Sequence, residues 1–294
     1  KRETYRERLR ELDPDAWEGF LLEESGLPGP RGNIELGKAV ADEGTEALFL
    51  ELLEHDPASA PTGTAEEFLP FCGAVGLGRL VAEGQDEHLS RLRGLASDPR
   101  WRVREAVAMA LQRLGDADVG ALLDVAEDWA DGGHYEQRAA VAGVCEPRLL
   151  ADAERADRVF DLLDAVTASV AASDERDTDG FEALRKGLGY GWSVAVVAYP
   201  EAGKERFEAW LDDEDPDVRW VLRRNLSKAR LSRLDEAWVE PLQTCVQRKR
   251  HEGQEVVGEP GDDRQRSRQH AVVRGETDDR QHVDGVVLGC RVEG

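Results

Sequence analysis

Apolar residues recur along most of this chain on a 3.6-residue period. The clearest case is 98–114, DPRWRVREAVAMALQRL. There Val103, Ala106, Val107, Ala110, Leu111 and Leu114 fall at i, i+3, i+4, i+7, i+8 and i+11, one stripe of an amphipathic helix. Asp98 is placed to cap that helix, and Pro99 sits where a missing N–H does no harm. The pattern returns at 215–226, DPDVRWVLRRNL, with Val218, Val221, Leu222 and Leu226 on the stripe. Arg219 follows Val218 as Arg104 follows Val103.

The same periodicity predicts helices almost throughout. Residues 1–26 read as two helices broken at Asp13-Pro14, with Asp13 as a cap, and further helices follow at about 34–43 and 45–55. Thr64 and Glu67 have the spelling of a capping box for a helix carrying Phe68, Leu69, Phe71, Cys72, Val75 and Leu80. Gly73, Gly76 and Gly78 interrupt that helix and predict close approach by neighbours, since each glycine costs about 1 kcal/mol against alanine in a helix interior. Beyond it, helices are expected at 86–96, 99–114, 117–131, 135–146, 152–172, 179–190, 191–198, 201–212, 216–229 and 235–246. Only 193–199, SVAVVAY, has the composition of a buried strand, and its helical neighbours argue against one.

The arginines provide a repeat test. Arg104, Arg138, Arg185 and Arg219 each lie seven residues before a core position, at Leu111, Cys145, Trp192 and Leu226, and stand 34, 47 and 34 residues apart. Such steps are those of stacked helix pairs. An earlier and poorer copy would put Pro70 at the arginine position, with Leu77 as its core partner. The motif D-P-x-V-R followed by an apolar helix resembles the HEAT-repeat family. The stretches LPGPRGN, FCGAVGLGRL, ASDPRWRVREAVAMALQR, EQRAAVAGVCEPRLL and GYGWSVAVVA are similar to those of bacterial HEAT-repeat proteins. The resemblance implies an all-α fold, a right-handed α-α superhelix of antiparallel helix pairs. Residues 1–63 would be atypical capping repeats and 64–246 HEAT-like repeats continuous with them. The concave face would be built from the helices carrying the four arginines.

Composition refines this picture. Asp and Glu outnumber Lys and Arg by 61 to 38, for a net charge of −23. A body this acidic repels phosphate backbones unless it carries a local basic face, so nucleic acid is not the expected partner. No run of eighteen apolar residues exists, so no membrane span is expected. The N-terminal pattern KRETYRERLREL is a charged helix and not a signal peptide. The chain starts at Lys1 and is read as trimmed. Cys72, Cys145, Cys245 and Cys290 are isolated, as reduced thiols of a bacterial cytoplasmic protein would be. Residues 247–294 lack Phe, Tyr and Trp and are rich in Arg, Gln, Gly and Asp; they are expected to be disordered, and to come from a shifted reading frame.

The expected function is non-catalytic binding of a protein or peptide on the concave face, by a monomer without cofactor or metal. Arg104, Arg138, Arg185 and Arg219 are candidates for holding carboxylates or phosphates, or else for tying adjacent repeats together. Arg100, Trp101 and Arg102 precede the apolar stripe and have no repeat-wide reason to be there, which makes Trp101 the best candidate for an exposed stacking surface. Trp192 and Trp220 are stacking candidates as well, with core filling as the competing role. Arg31, Gly32 and Asn33, in the loop GLPGPRGN, are placed to bind an anion before a helix, although both phosphate-loop fingerprints are missing. SDERDTDG imitates the first half of a calcium loop, but Lys186 occupies the position of its bidentate glutamate. The alternative function comes from alkylpurine DNA glycosylases, similar in their HEAT-like helix pairs and in using Trp, Asp and Arg on a concave face. A lyase-subunit role, scaffolding a cofactor, has only fold analogy behind it.

Overall fold

The computed structural model describes residues 1–252, and among the described residues every regular element is helical. The helices are α1 (Arg2–Glu11), α2 (Trp17–Glu24), α3 (Ile34–Glu43), α4 (Glu46–Leu52), α5 (Phe68–Ala82), α6 (Leu89–Leu95) and α7 (Trp101–Ala117). They continue as α8 (Val119–Ala130), α9 (His134–Val144), α10 (Ala156–Ala172), α11 (Asp179–Ala198), α12 (Pro200–Ala209), α13 (Pro216–Leu226) and α14 (Ala229–Glu252). The stretch SVAVVAY is helical, and the two helices expected at 179–198 are one, α11.

The odd-numbered helices from α1 to α13 form a row in which each packs on the next. Even-numbered helices lie against that row: α4 on α5, α6 and α8 on α7, α10 and α12 on α11, and α14 on α13. The reason is the pattern of stripes. Each helix of the row has an apolar face too wide for one neighbour, so it is covered from both sides. Buried apolar side chains from Leu9 to Val246 form one contiguous cluster. α5 is the most enclosed member, and its glycines explain how. A Cβ on Gly76 would stand 2.3 Å from the Phe49 ring of α4, and one on Gly78 would stand 2.4 Å from the Ala110 backbone of α7. Any larger side chain there would push α4 or α7 off the row.

Several helix starts differ from expectation. α7 begins at Trp101, after Arg100, because Asp98 is engaged elsewhere: its Oδ1 accepts from the Arg100 amide at 2.8 Å and its carboxylate grips the Arg100 guanidinium. Thr64 does not form the expected capping box, since the Glu67 carboxylate turns to the Gly63 amide and to Arg102. Asp13 likewise makes no side-chain cap. Asp215 does cap α13, accepting from the Asp217 and Val218 amides, with Pro216 as the first helical residue. Asp235 interrupts α14 with a non-helical backbone and caps its second half by accepting from the Trp238 amide. That helix runs past the expected boundary at Val246 as far as Glu252, and the rest of the expected tail lies outside the described residues.

Candidate functional site

The row helices α7, α9 and α11 leave a groove between them of about 490 Å³. Its size suits a short segment of chain or a small ligand. Three consecutive helices of the row build it. From α7 come Trp101, Arg104 and Gln112; from α9, Tyr135, Arg138, Val141 and Ala142; from α11, Glu182, Lys186, Gly187, Tyr190 and Gly191. The register is common to the first two. Trp101 stands three residues before Arg104, as Tyr135 stands before Arg138, so one helical turn presents an aromatic ring beside each arginine. Val141, Ala142, Gly187 and Gly191 form a small apolar floor. A Cβ on Gly191 would stand 2.7 Å from Val141, so the floor is held close by glycine.

Most of the groove's polar side chains have partners. Nη1 of Arg104 donates to the carbonyls of Asp98 and Pro99 at 2.5 and 3.0 Å, and its guanidinium lies 4.9 Å above the Tyr135 ring. Nη1 of Arg138 donates to the Arg104 carbonyl at 2.9 Å. Burial, reinforced by the neighbouring Arg104 charge, pushes the Arg138 guanidinium down to about 10, against the pull of Glu105, and it stays charged at neutral pH. Gln112 donates to the Ala142 carbonyl across the α7–α9 seam. Lys186 pairs with Glu182 at 2.7 Å, and Tyr190 accepts from Arg230, which stacks 4.2 Å above its ring. Burial raises the Tyr190 hydroxyl despite that bond. Cys145 reaches the groove wall, but burial pushes its thiol up to about 12, so it is protonated and a poor nucleophile. The groove therefore offers aromatic faces, an apolar floor and charges of both signs, which suits binding.

Trp101, Arg104 and Arg138 are thus the expected site residues that the fold brings together. Others serve the architecture. Arg100 is 3% exposed and ties the Asp98 carboxylate to the carbonyls of His55 and Ala60. Arg102 is buried against Glu67, with its guanidinium 4.3 Å from the Trp101 ring, and it acts on the groove only through that ring. Trp192 corrects the expectation of a stacking surface: it is fully buried, and its Nε1 donates to Thr167 at 3.0 Å. Arg185 pairs with Asp217 and lies over Trp220, which Arg224 also approaches, at 5.6 Å from the ring centroid. Nε of Arg219 donates to the Asp213 carbonyl. Arg185 therefore ties α11 to α13, while Arg219 holds the turn that leads into its own helix.

The loop at 26–33 also closes on itself. The amide of Gly29 donates to Gly26, that of Asn33 to Ser25, and that of Leu27 to the Ser25 hydroxyl. Asn33 caps α3 by accepting from the Leu36 amide and donates to Tyr5 and the Glu24 carbonyl. Arg31 and Gly32 stand in a turn in which the Leu27, Gly29 and Asn33 amides are thus engaged. Among the described residues no three His, Cys, Asp or Glu side chains gather to hold a metal ion, and no helix is long and apolar enough to cross a membrane.

Tyr135, Tyr190 and the charged wall of α11 were not expected from sequence. Tyr135 was open to discovery, because it occupies the Trp101 position of the next repeat; Tyr190 has no such register mark. No protein-family model, no curated protein and no solved structure matches this chain.

Proposed function

We propose that this chain is a HEAT-like, right-handed α-α solenoid that binds a protein or peptide segment in the groove over α7, α9 and α11. The groove itself is the observation that carries the reading: Trp101 and Tyr135 repeat in register beside an apolar floor of Val141 and Ala142. Large, rigid aromatic faces of this kind give contact area at low entropic cost. The row of odd-numbered helices and the arginine spacing of 34, 47 and 34 residues support the solenoid. A duplex phosphate backbone suits the groove less well, because Glu146, Asp179 and Glu182 share its walls with Arg104, Arg138 and Lys186.

The test is selection of displayed random heptapeptides on the full chain, repeated with Trp101→Ala and with Tyr135→Ala. Peptides enriched on the wild type are expected to lose binding to both variants, on the order of tenfold each. Peptides that bind all three proteins equally, or no enrichment at all, would remove the groove as a binding site.

A further inference from the structure

Arg104 and Arg138 differ from most arginines of this protein in what they lack. In a chain this acidic, guanidinium groups find carboxylates readily: Arg2 meets Asp42, Arg93 meets Asp128 and Glu136, and Arg206 meets Asp161 and Asp164. Among the described residues, neither Arg104 nor Arg138 has a carboxylate within ion-pair distance, and their hydrogen bonds go to backbone carbonyls. Yet both line the same groove, and the Arg104 charge is felt at Arg138. Two neighbouring cations without a carboxylate in contact attract a single anionic group, while two of the groove's acids are already paired, Glu182 with Lys186 and Glu146 with Arg148.

Their geometry is prepared for one. Arg104 is held flat over the Tyr135 ring at 4.9 Å. The stem of Arg138 packs along α11, its Cγ 3.4 Å from the place a Gly187 Cβ would take, an ordinary van der Waals contact. A guanidinium has five N–H donors, and one nitrogen of each arginine is occupied by backbone carbonyls. No other side-chain nitrogen of either arginine is enclosed without a partner, and both residues line the groove. The acid whose charge reaches Arg138 most directly is Glu105, which is buried and makes no contact with it as an ion pair. Burial raises the Glu105 carboxyl to about 7, so it neutralises Arg138 incompletely at neutral pH.

We infer that the groove recognises a carboxylate of its peptide ligand, held between Arg104 and Arg138, with the adjoining apolar side chain on the floor of Val141 and Ala142. This rests on the peptide-groove reading and gives it a ligand chemistry. The carboxylate belongs either to an Asp or Glu side chain or to a free C-terminus, and both would meet the same pair of guanidiniums.

Two heptapeptide libraries, one embedded internally and one ending in a free C-terminus, are selected on the full chain. The expected result is enrichment of Asp or Glu at one position of the first, or preferential enrichment of the second, which also tells the two sources apart. Winning peptides are then synthesised with Glu→Gln or with an amidated C-terminus. Loss of the carboxylate is expected to weaken binding on the order of tenfold to a hundredfold. Arg138→Gln is expected to do the same and Arg138→Lys to restore part of it. The peptide swap needs no protein variant, so it decides the matter even if Arg138→Gln does not fold. Winning peptides that show no acid preference and depend on Trp101 would overturn the carboxylate while leaving the peptide groove standing. No enrichment in either library would overturn both.

Discussion

Glu105 lies only 7% exposed on α7, facing Arg138 of α9 and Arg102 of its own helix, and Arg102 is already engaged by Glu67. Burial is the dominant influence on it and raises its carboxyl from 4.5 to about 7, while the two arginines pull the other way. The folded chain therefore holds this proton more tightly than the unfolded chain does. Below the unfolded value of about 4.5 the group costs nothing; between there and about 7 stability is lost as pH rises. The full penalty is roughly 3 kcal/mol. Glu105→Gln is expected to leave stability almost unchanged at pH 4 and to raise it by up to about that amount at pH 8, read as urea midpoints across the range. Equal midpoint shifts at both pH values would contradict a buried, desolvated carboxyl. This residue also marks where sequence reading stops at the residue scale. Arg104 and Arg138 could be placed on one face because their spacing is periodic, and Trp101 stood out because it precedes the apolar stripe. Arg100 and Arg102 could not be assigned to the interior, and Trp192 stayed open between core and surface, because what engages them comes from far along the chain: the carbonyls at His55 and Ala60, the Glu67 carboxylate and the Thr167 hydroxyl.

At the scale of elements, hydrophobic period located nearly every helix, and 34–43 coincides with α3. Helix ends were less legible because caps compete with tertiary partners. Asp98 gives up the N-cap of α7 to hold Arg100, and Glu67 gives up a capping box to hold Arg102. α11 is the case where two expected helices are one, and the interior of the fold shows how it is supported. Asn225 of α13 is fully buried and reaches into the middle of α11, accepting from the Ser193 amide at 2.8 Å and donating to the Leu188 carbonyl at 2.8 Å. It also donates to Val221 within its own helix. A polar side chain at a core position reads in sequence as a flaw in the stripe; here it is the tie between two members of the row. Asn225→Leu keeps the branched heavy-atom outline but leaves the Ser193 and Leu188 groups without this partner, at about 1–3 kcal/mol for each buried group left unsatisfied. A drop in thermal midpoint is expected, with hydrogen exchange at Ser193 rising more than exchange in α7. An unchanged midpoint would mean that the bonds are replaced or contribute little.

For the whole molecule, the row from α1 to α13 has a property that follows from contacts between sequence neighbours alone. Among the described residues α3 packs on α1 and α5, and α13 on α10, α11 and α14, and no extensive helix contact joins the two ends directly. On the proposed solenoid reading, stability is then a sum of local units and nearest-neighbour interfaces, and a defect at one end need not spread to the other. The groove depends on this arrangement, since α7, α9 and α11 sit in the interior of the row and are stabilised from both sides. Leu36 is fully buried in α3, and Leu36→Ala is expected to remove about 2–5 kcal/mol locally through lost burial and the cavity left behind. Hydrogen exchange followed by mass spectrometry should show faster exchange in α1, α3 and α4, a graded effect in α5, and little change in α11 and α13. Peptide binding in the groove should survive with it. A uniform acceleration across all helices would instead indicate one cooperative unit, in which the ends communicate through the full length of the core, and the solenoid reading would lose its energetic basis.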